Sequence, residues 1–182
     1  MDGEIDEIIR AYTDNDPQFA ERYQSTGTER LDIESYFDPT LPQFQEGYWA
    51  DYYKPRLNEA ISEMQELKDI CDKYGIRLTV VTNPLYFLTY ERDVKNGYLD
   101  YLERLADVTD YYNFSSLSDI SLDPSNYYET SHFTPDVGRL MINAAFYDDA
   151  DDKLKSQGFG CHVDRDNVKD LIRLLGEQLN EG

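Results

Sequence analysis

From residue 54 onward the apolar positions of the chain fall into regular periods. Leu57, Ala60, Ile61, Met64, Leu67, Cys71 and Tyr74 recur at i, i+3, i+4 and i+7, interrupted only by Lys68. That spacing sets them on one face of a helix. Pro55 suits its first turn, and Gly75 stands where a left-handed residue ends a helix. Ile76-Arg77-Leu78-Thr79-Val80-Val81-Thr82 then changes period. It is β-branched and largely apolar, which predicts a buried strand ended by Asn83-Pro84.

A loop is expected from there to Asn96-Gly97. A second helix is expected over about 97–108, with Tyr98, Leu99, Tyr101, Leu102, Leu105 and Ala106 turned inward. Tyr111-Tyr112-Asn113-Phe114 reads as a short strand. Thr134-Pro135-Asp136 reads as an N-cap, a proline at the first helical position and an acid behind it. It opens a helix to about Phe146, with Val137, Leu140, Met141 and Ala144 on one face. Asp148 to Lys155 reads as an acidic, solvated turn, and Phe159 to Val163 as a short extended segment. Asp164 or Asp166 caps a last helix carrying Val168, Leu171, Ile172, Leu175 and Leu179 inward.

The first 53 residues differ. Ile5, Ile8, Ile9 and Tyr12 predict a short helix within 1–24. Residues 25–53 are irregular, punctuated by Gly27, Pro39, Pro42 and Gly47. They carry Tyr36, Phe37, Phe44, Tyr48, Trp49, Tyr52 and Tyr53. So many aromatics in so short a stretch predict an ordered arm packed on other structure. The chain therefore divides into an N-terminal helix and aromatic-rich arm, 1–53, and an α/β portion, 54–182.

Alternating helices and strands of this length predict an α/β layer with parallel strands. Two clear strands fall short of the ~4–6 of an ordinary sheet. The α/β portion thus reads as the second half of a domain. Three sources for the rest stand open: a preceding segment, another chain, or self-association.

Charge narrows the functional classes. The 182 residues include 37 acidic and 17 basic side chains, a net charge of −20. Such a surface opposes phosphate contacts, so neither nucleic acid nor an anionic membrane is an expected partner. Apolar residues at 40% still supply a core, so the charge does not predict disorder. Two cysteines, Cys71 and Cys161, make no disulfide framework and read as reduced thiols. No cysteine–histidine spacing predicts zinc, and Asp148–Asp152 lacks the glycine and glutamate of a calcium loop, so no metal or cofactor is expected. No apolar run reaches the ~20 residues of a membrane span. Asp2, Glu4, Asp6 and Glu7 are the reverse of a signal peptide's positive start, which predicts a chain soluble as given.

The two histidines are the acid–base candidates. His132 lies in Tyr127-Tyr128-Glu129-Thr130-Ser131-His132-Phe133-Thr134-Pro135, after a strand and two residues before a helix cap. α/β folds place functional side chains at such loops. Glu129, three residues earlier, is within reach on a tight turn. A carboxylate there would orient the imidazole and stabilise the imidazolium formed when a nucleophile gives up its proton. A surface histidine beside a surface glutamate is the plainer alternative. His162 follows Cys161 directly; in an extended segment the two point to opposite faces, so His162 reads as structural or surface.

The run Asn126 to Gly138 resembles the last block of SGNH/GDSL-type hydrolases, in particular the envelope-associated branch related to polysaccharide O-acetyltransferases. That block supplies the acid and base of a serine–histidine–aspartate triad just ahead of the final helix. Leu78 to Thr82 with Asn83-Pro84 resembles a late strand of that fold, and Phe159 to Val168 is similar to segments C-terminal to the block in the same branch. The likeness covers about residues 54–175. It implies a partial three-layer α/β/α, flavodoxin-like arrangement with few parallel strands. It also implies catalytic roles for His132 and Glu129, and a carbohydrate or acyl-ester substrate.

Two features depart from the family. Glu129 stands where the family has aspartate, and no glycine–aspartate–serine turn is present. Ser25-Thr26-Gly27-Thr28 has no apolar strand before it. The resemblance therefore implies an esterase or O-acyltransferase portion inactive alone. The alternative is a non-catalytic SGNH-like binding or structural module that completes its sheet by dimerisation. Its paired tyrosines, 52/53, 111/112 and 127/128, would then serve as a stacking surface or as core-edge packing.

Overall fold

The structure is a computed structural model that describes residues 56–180. The expected early helix, the aromatic arm and Ser25–Thr28 lie outside the described residues.

Helix α1 spans Leu57–Tyr74 and buries Cys71. Gly75 ends it in the left-handed region at φ 64°, and the Ile76 N–H returns to the Cys71 carbonyl at 2.8 Å. The chain then runs extended. Helix α2, Phe87–Lys95, comes next, and helix α3 spans Tyr98–Val108. Strand β1 is Tyr111–Asn113, succeeded by a single-turn helix α4, Asp119–Leu122. Strands β2, Tyr127–Glu129, and β3, His132–Phe133, form a hairpin. Helix α5 is Pro135–Tyr147, helix α6 Asp152–Ser156, strand β4 Cys161–Val163 and helix α7 Val168–Gln178.

The molecule is a mixed α/β structure, and its named strands pair antiparallel. β1 lies against β4 with Tyr111 opposite Val163, Tyr112 opposite His162 and Asn113 opposite Cys161. The reversal is made by glycines. Gly158 and Gly160 adopt φ 87° and 81°, and the Gly160 N–H donates to the Asn113 carbonyl at 2.7 Å. A side-chain-bearing residue rarely takes that conformation, so the glycines turn the chain back onto β1.

The strand expected at Ile76–Thr82 is corrected. The segment touches β1 through one parallel bridge, Val81 to Tyr112. Thr82 N–H donates to the Tyr112 carbonyl at 3.0 Å and Tyr112 N–H to the Val80 carbonyl at 2.9 Å. The pairing stops at this one bridge.

Other boundaries differ for local reasons. The expected loop before Asn96 contains α2, because Tyr86, Tyr90 and Val94 follow the helical period and Tyr90 is fully buried. The expected acidic turn contains α6, whose N-cap Asp151 accepts from the Leu154 N–H at 2.9 Å. Thr134 precedes α5 without a side-chain cap bond. Asn167 is the N-cap of the last helix, while Asp164 accepts from the Asp166 and Asn167 amides.

The β1–β4 ribbon separates two cores, as the alternation of strand side chains requires. Tyr111 and Val163 face Leu102, Leu105, Leu171 and Leu175 of α3 and α7, with Ile61 and Met64 of α1 and Val80 packed alongside. On the other face Phe114, Tyr127, Val137 and Phe159 gather, with Tyr112 against them. Tyr111 and Tyr127 are thus core residues, which answers the expectation for those two tyrosines.

Candidate functional site

The β2–β3 hairpin makes its turn with Thr130 and Ser131, so Glu129 and His132 become direct cross-strand partners. Tyr127 and Thr130 anchor the hairpin in the interior, whereas His132 is exposed. The Thr134 N–H donates to the Asn126 carbonyl at 2.9 Å and closes the base.

The hairpin turn is held from the segment C-terminal to the parallel bridge. Asn83 Nδ2 donates to the Ser131 carbonyl at 2.7 Å, and the Tyr86 N–H donates to the Thr130 carbonyl at 3.0 Å. Asn83, read from sequence as a strand-end turn residue, thus ties that turn to the histidine hairpin. No sequence signal points to this contact, because the partners are 48 residues apart.

Beneath Asn83 lies a buried polar network. Thr82 Oγ1 donates to Asn113 Oδ1 at 3.1 Å and accepts from the Phe114 and Ser115 amides at 2.7 and 3.2 Å. Asn113 Nδ2 donates to the Ser115 and Gly158 carbonyls at 3.0 and 2.7 Å. The Ser115 hydroxyl donates to the Asn83 carbonyl. Buried polar atoms held this densely leave little freedom, so the end of the extended segment is a rigid support for the hairpin.

One acid–histidine pair escaped sequence reading. His162 Nε2 lies 2.9 Å from Asp110 Oδ2, and the His162 ring meets Tyr112 edge-on at 5.1 Å between centroids. The hydrogen bond from His162 holds the Asp110 carboxyl below its ordinary range. The pair opens on a small cleft of about 110 Å³ lined also by Arg77 and Thr79. Cys161, its neighbour, is half-buried; its Sγ donates to the Lys155 carbonyl at 3.4 Å, and burial pushes its thiol up. Residues 52 apart leave no local motif, so only the antiparallel register could reveal the Asp110–His162 pair.

Both cysteines are free thiols. Among the described residues no cluster of three or more metal-ligating side chains occurs. No described helix is long and apolar enough to cross a membrane. Comparison of the chain with family models, curated proteins and solved structures finds no match.

Proposed function

We propose that this chain carries the acid–base part of an SGNH-like ester-processing site, with His132 as the base and Glu129 as its orienter. Its substrate class is a carbohydrate ester or an acyl ester, handled as an esterase or O-acyltransferase would. The supporting observation is the direct register of Glu129 with an exposed His132 across a two-residue turn. The sequence likeness of residues 126–138 to the family's last block agrees with it. An exposed imidazole beside a carboxylate position can take a proton from a hydroxyl nucleophile during acyl transfer.

The four serines between β1 and the end of α4, Ser115, Ser116, Ser118 and Ser121, are buried and are not offered to that pair. The proposed pair therefore works with a hydroxyl from elsewhere, and without a nucleophile the remaining partners give little acceleration.

Nitrogen NMR of the His132 ring is the test. A paired carboxylate selects one neutral tautomer, so the wild-type ring should show one protonated nitrogen and Glu129→Gln should mix the two. A tautomer distribution that ignores Glu129→Gln would overturn the pair. Turnover of p-nitrophenyl acetate by the chain alone should not change in His132→Ala. His132-dependent turnover would show that the chain holds its own nucleophile.

A further inference from the structure

Among the described residues, Arg77 is the one arginine without a carboxylate partner. Arg56, Arg92, Arg104, Arg139, Arg165 and Arg173 each stand within 4.0 Å of an acid. Arg77 has neither an ion pair nor a hydrogen bond there. In a chain with 37 acidic and 17 basic side chains, an arginine left over is the exception.

Strand alternation sets this arginine in a cleft. Along the extended segment Arg77, Thr79 and Val81 face one side, and Leu78 and Val80 the other. Val80 packs into the core with Tyr111 and Val163. The bridge from Val81 to Tyr112 therefore aligns Arg77 and Thr79 with the other face of β1, that of Asp110 and Tyr112. β4 adds His162 opposite Tyr112. Arg77, Thr79, Asp110, Tyr112 and His162 accordingly line one cleft of about 110 Å³, with the buried Ala145 of α5.

Asp110 shares the cleft but does not take Arg77. Its Oδ2 lies 2.9 Å from His162 Nε2, and no ion pair joins it to the guanidinium. The imidazole holds the carboxylate of the cleft away from the arginine.

Charge and shape select the ligand. A guanidinium presents a planar fork of donors that matches two oxygens of one group. Thr79 adds a hydroxyl. One cation answers one negative charge. A dianion such as phosphate would set its second charge against Asp110 and against the net −20 of the chain. The cleft has room for a few heavy atoms, on the order of a few waters, rather than for a peptide.

We propose that this cleft binds a small monocarboxylate, held by Arg77 and Thr79 and kept open by the Asp110–His162 pair. The proposal does not rest on the ester-processing reading. His162 acts as a positioning residue, because it engages the acid that would otherwise neutralise Arg77.

The test titrates the full chain at pH 7 with sodium acetate, replacing sodium chloride at constant ionic strength. Amide shifts are followed by nitrogen–proton correlation NMR. Thr79 and Asp110 should shift saturably with a dissociation constant in the millimolar range, and acetamide, of the same size but uncharged, should not reproduce the shift. Arg77→Gln should weaken binding about tenfold, and Arg77→Lys, which keeps the charge without the fork, about threefold. Both changes are at an exposed position and should leave the other amides in place. Arg139→Gln, at an arginine already paired with Asp136, should change nothing. His162→Ala frees Asp110 for Arg77 and should weaken acetate about threefold, whereas Asp110→Asn should strengthen it by a similar factor. The double variant should bind at least as well as the wild type. Absence of a saturable shift, an equal response to acetamide, or unchanged affinity in Arg77→Gln overturns the site. A double variant as weak as His162→Ala overturns the positioning role, since the imidazole would then hold the anion itself.

Discussion

Asp110 and His162 meet at 2.9 Å because β4 runs antiparallel to β1, which brings His162 opposite Tyr112, two residues beyond Asp110. The hydrogen bond from His162 is the main cause of the lowered Asp110 carboxyl. A carboxyl depressed in the folded state adds stability at pH values above its unfolded range. That share is lost as pH falls through the lower folded value. Both side chains are substantially exposed, at 44% and 63%, so solvent screens the pair.

Asp110→Asn should therefore lower stability at pH 5 by about 0.5 kcal/mol, and the gap to the wild type should close toward pH 2. Urea midpoints at the two pH values measure it. A gap that is unchanged at pH 2 would mean that the pair contributes through packing instead.

Asn113 is a stronger structural element than any surface ion pair. It is fully buried and satisfies the Gly158 and Ser115 carbonyls while accepting from Thr82. Leucine has a similar size but would strand those groups without water. Asn113→Leu should cost about 2–3 kcal/mol. Urea unfolding should show a lower midpoint with an unchanged slope; a loss below about 0.5 kcal/mol would show that the network relaxes around the change.

Gly158 carries the reversal into β4. Its φ is 87°, and a Cβ there would stand 3.0 Å from Leu175 Cδ2, inside the core under α7. Gly158→Ala meets both backbone strain and a steric conflict, and should destabilise by about 1–3 kcal/mol. Gly75→Ala offers a control, since it has a comparable positive φ but nothing within 4 Å. The difference between the two losses of thermal midpoint reads the packing share alone, and equal losses would remove it.

The four longest described helices were legible because their apolar faces repeat locally: Leu57 to Tyr74, Tyr98 to Ala106, Val137 to Ala144 and Val168 to Leu175 each announce one element. The antiparallel pairing of β1 with β4 was not legible. Ile76–Thr82 is apolar and β-branched as a buried strand should be, yet it pairs at Val81 only. Propensity states what a segment can do, and tertiary context decides whether it does so. The antiparallel turn depends on Gly158 and Gly160, which read equally well as loop residues. At the candidate site, Glu129 and His132 were legible because a two-residue turn keeps them close in sequence. Asn83 with Ser131 and Asp110 with His162 were not, because tertiary pairing alone joins them.

Asn83 gives the most direct measure of how the hairpin is held. Its side-chain amide donates to the Ser131 carbonyl at 2.7 Å, at the turn that brings His132 opposite Glu129. The Tyr86 N–H to the Thr130 carbonyl is the second tether and survives the loss of the Asn83 side chain. Asn83→Ala should therefore loosen the turn without releasing it. The contact is exposed, so global stability should fall by only about 0.5–1 kcal/mol. Amide exchange should localise the effect. The Thr134 N–H, bonded to the Asn126 carbonyl at the hairpin base, should exchange severalfold faster, while the β1–β4 amides keep their wild-type rates. Uniform acceleration across both ribbons would mean that Asn83 acts on the whole fold. No acceleration at Thr134 would mean that the Tyr86 tether alone sets the position of the histidine.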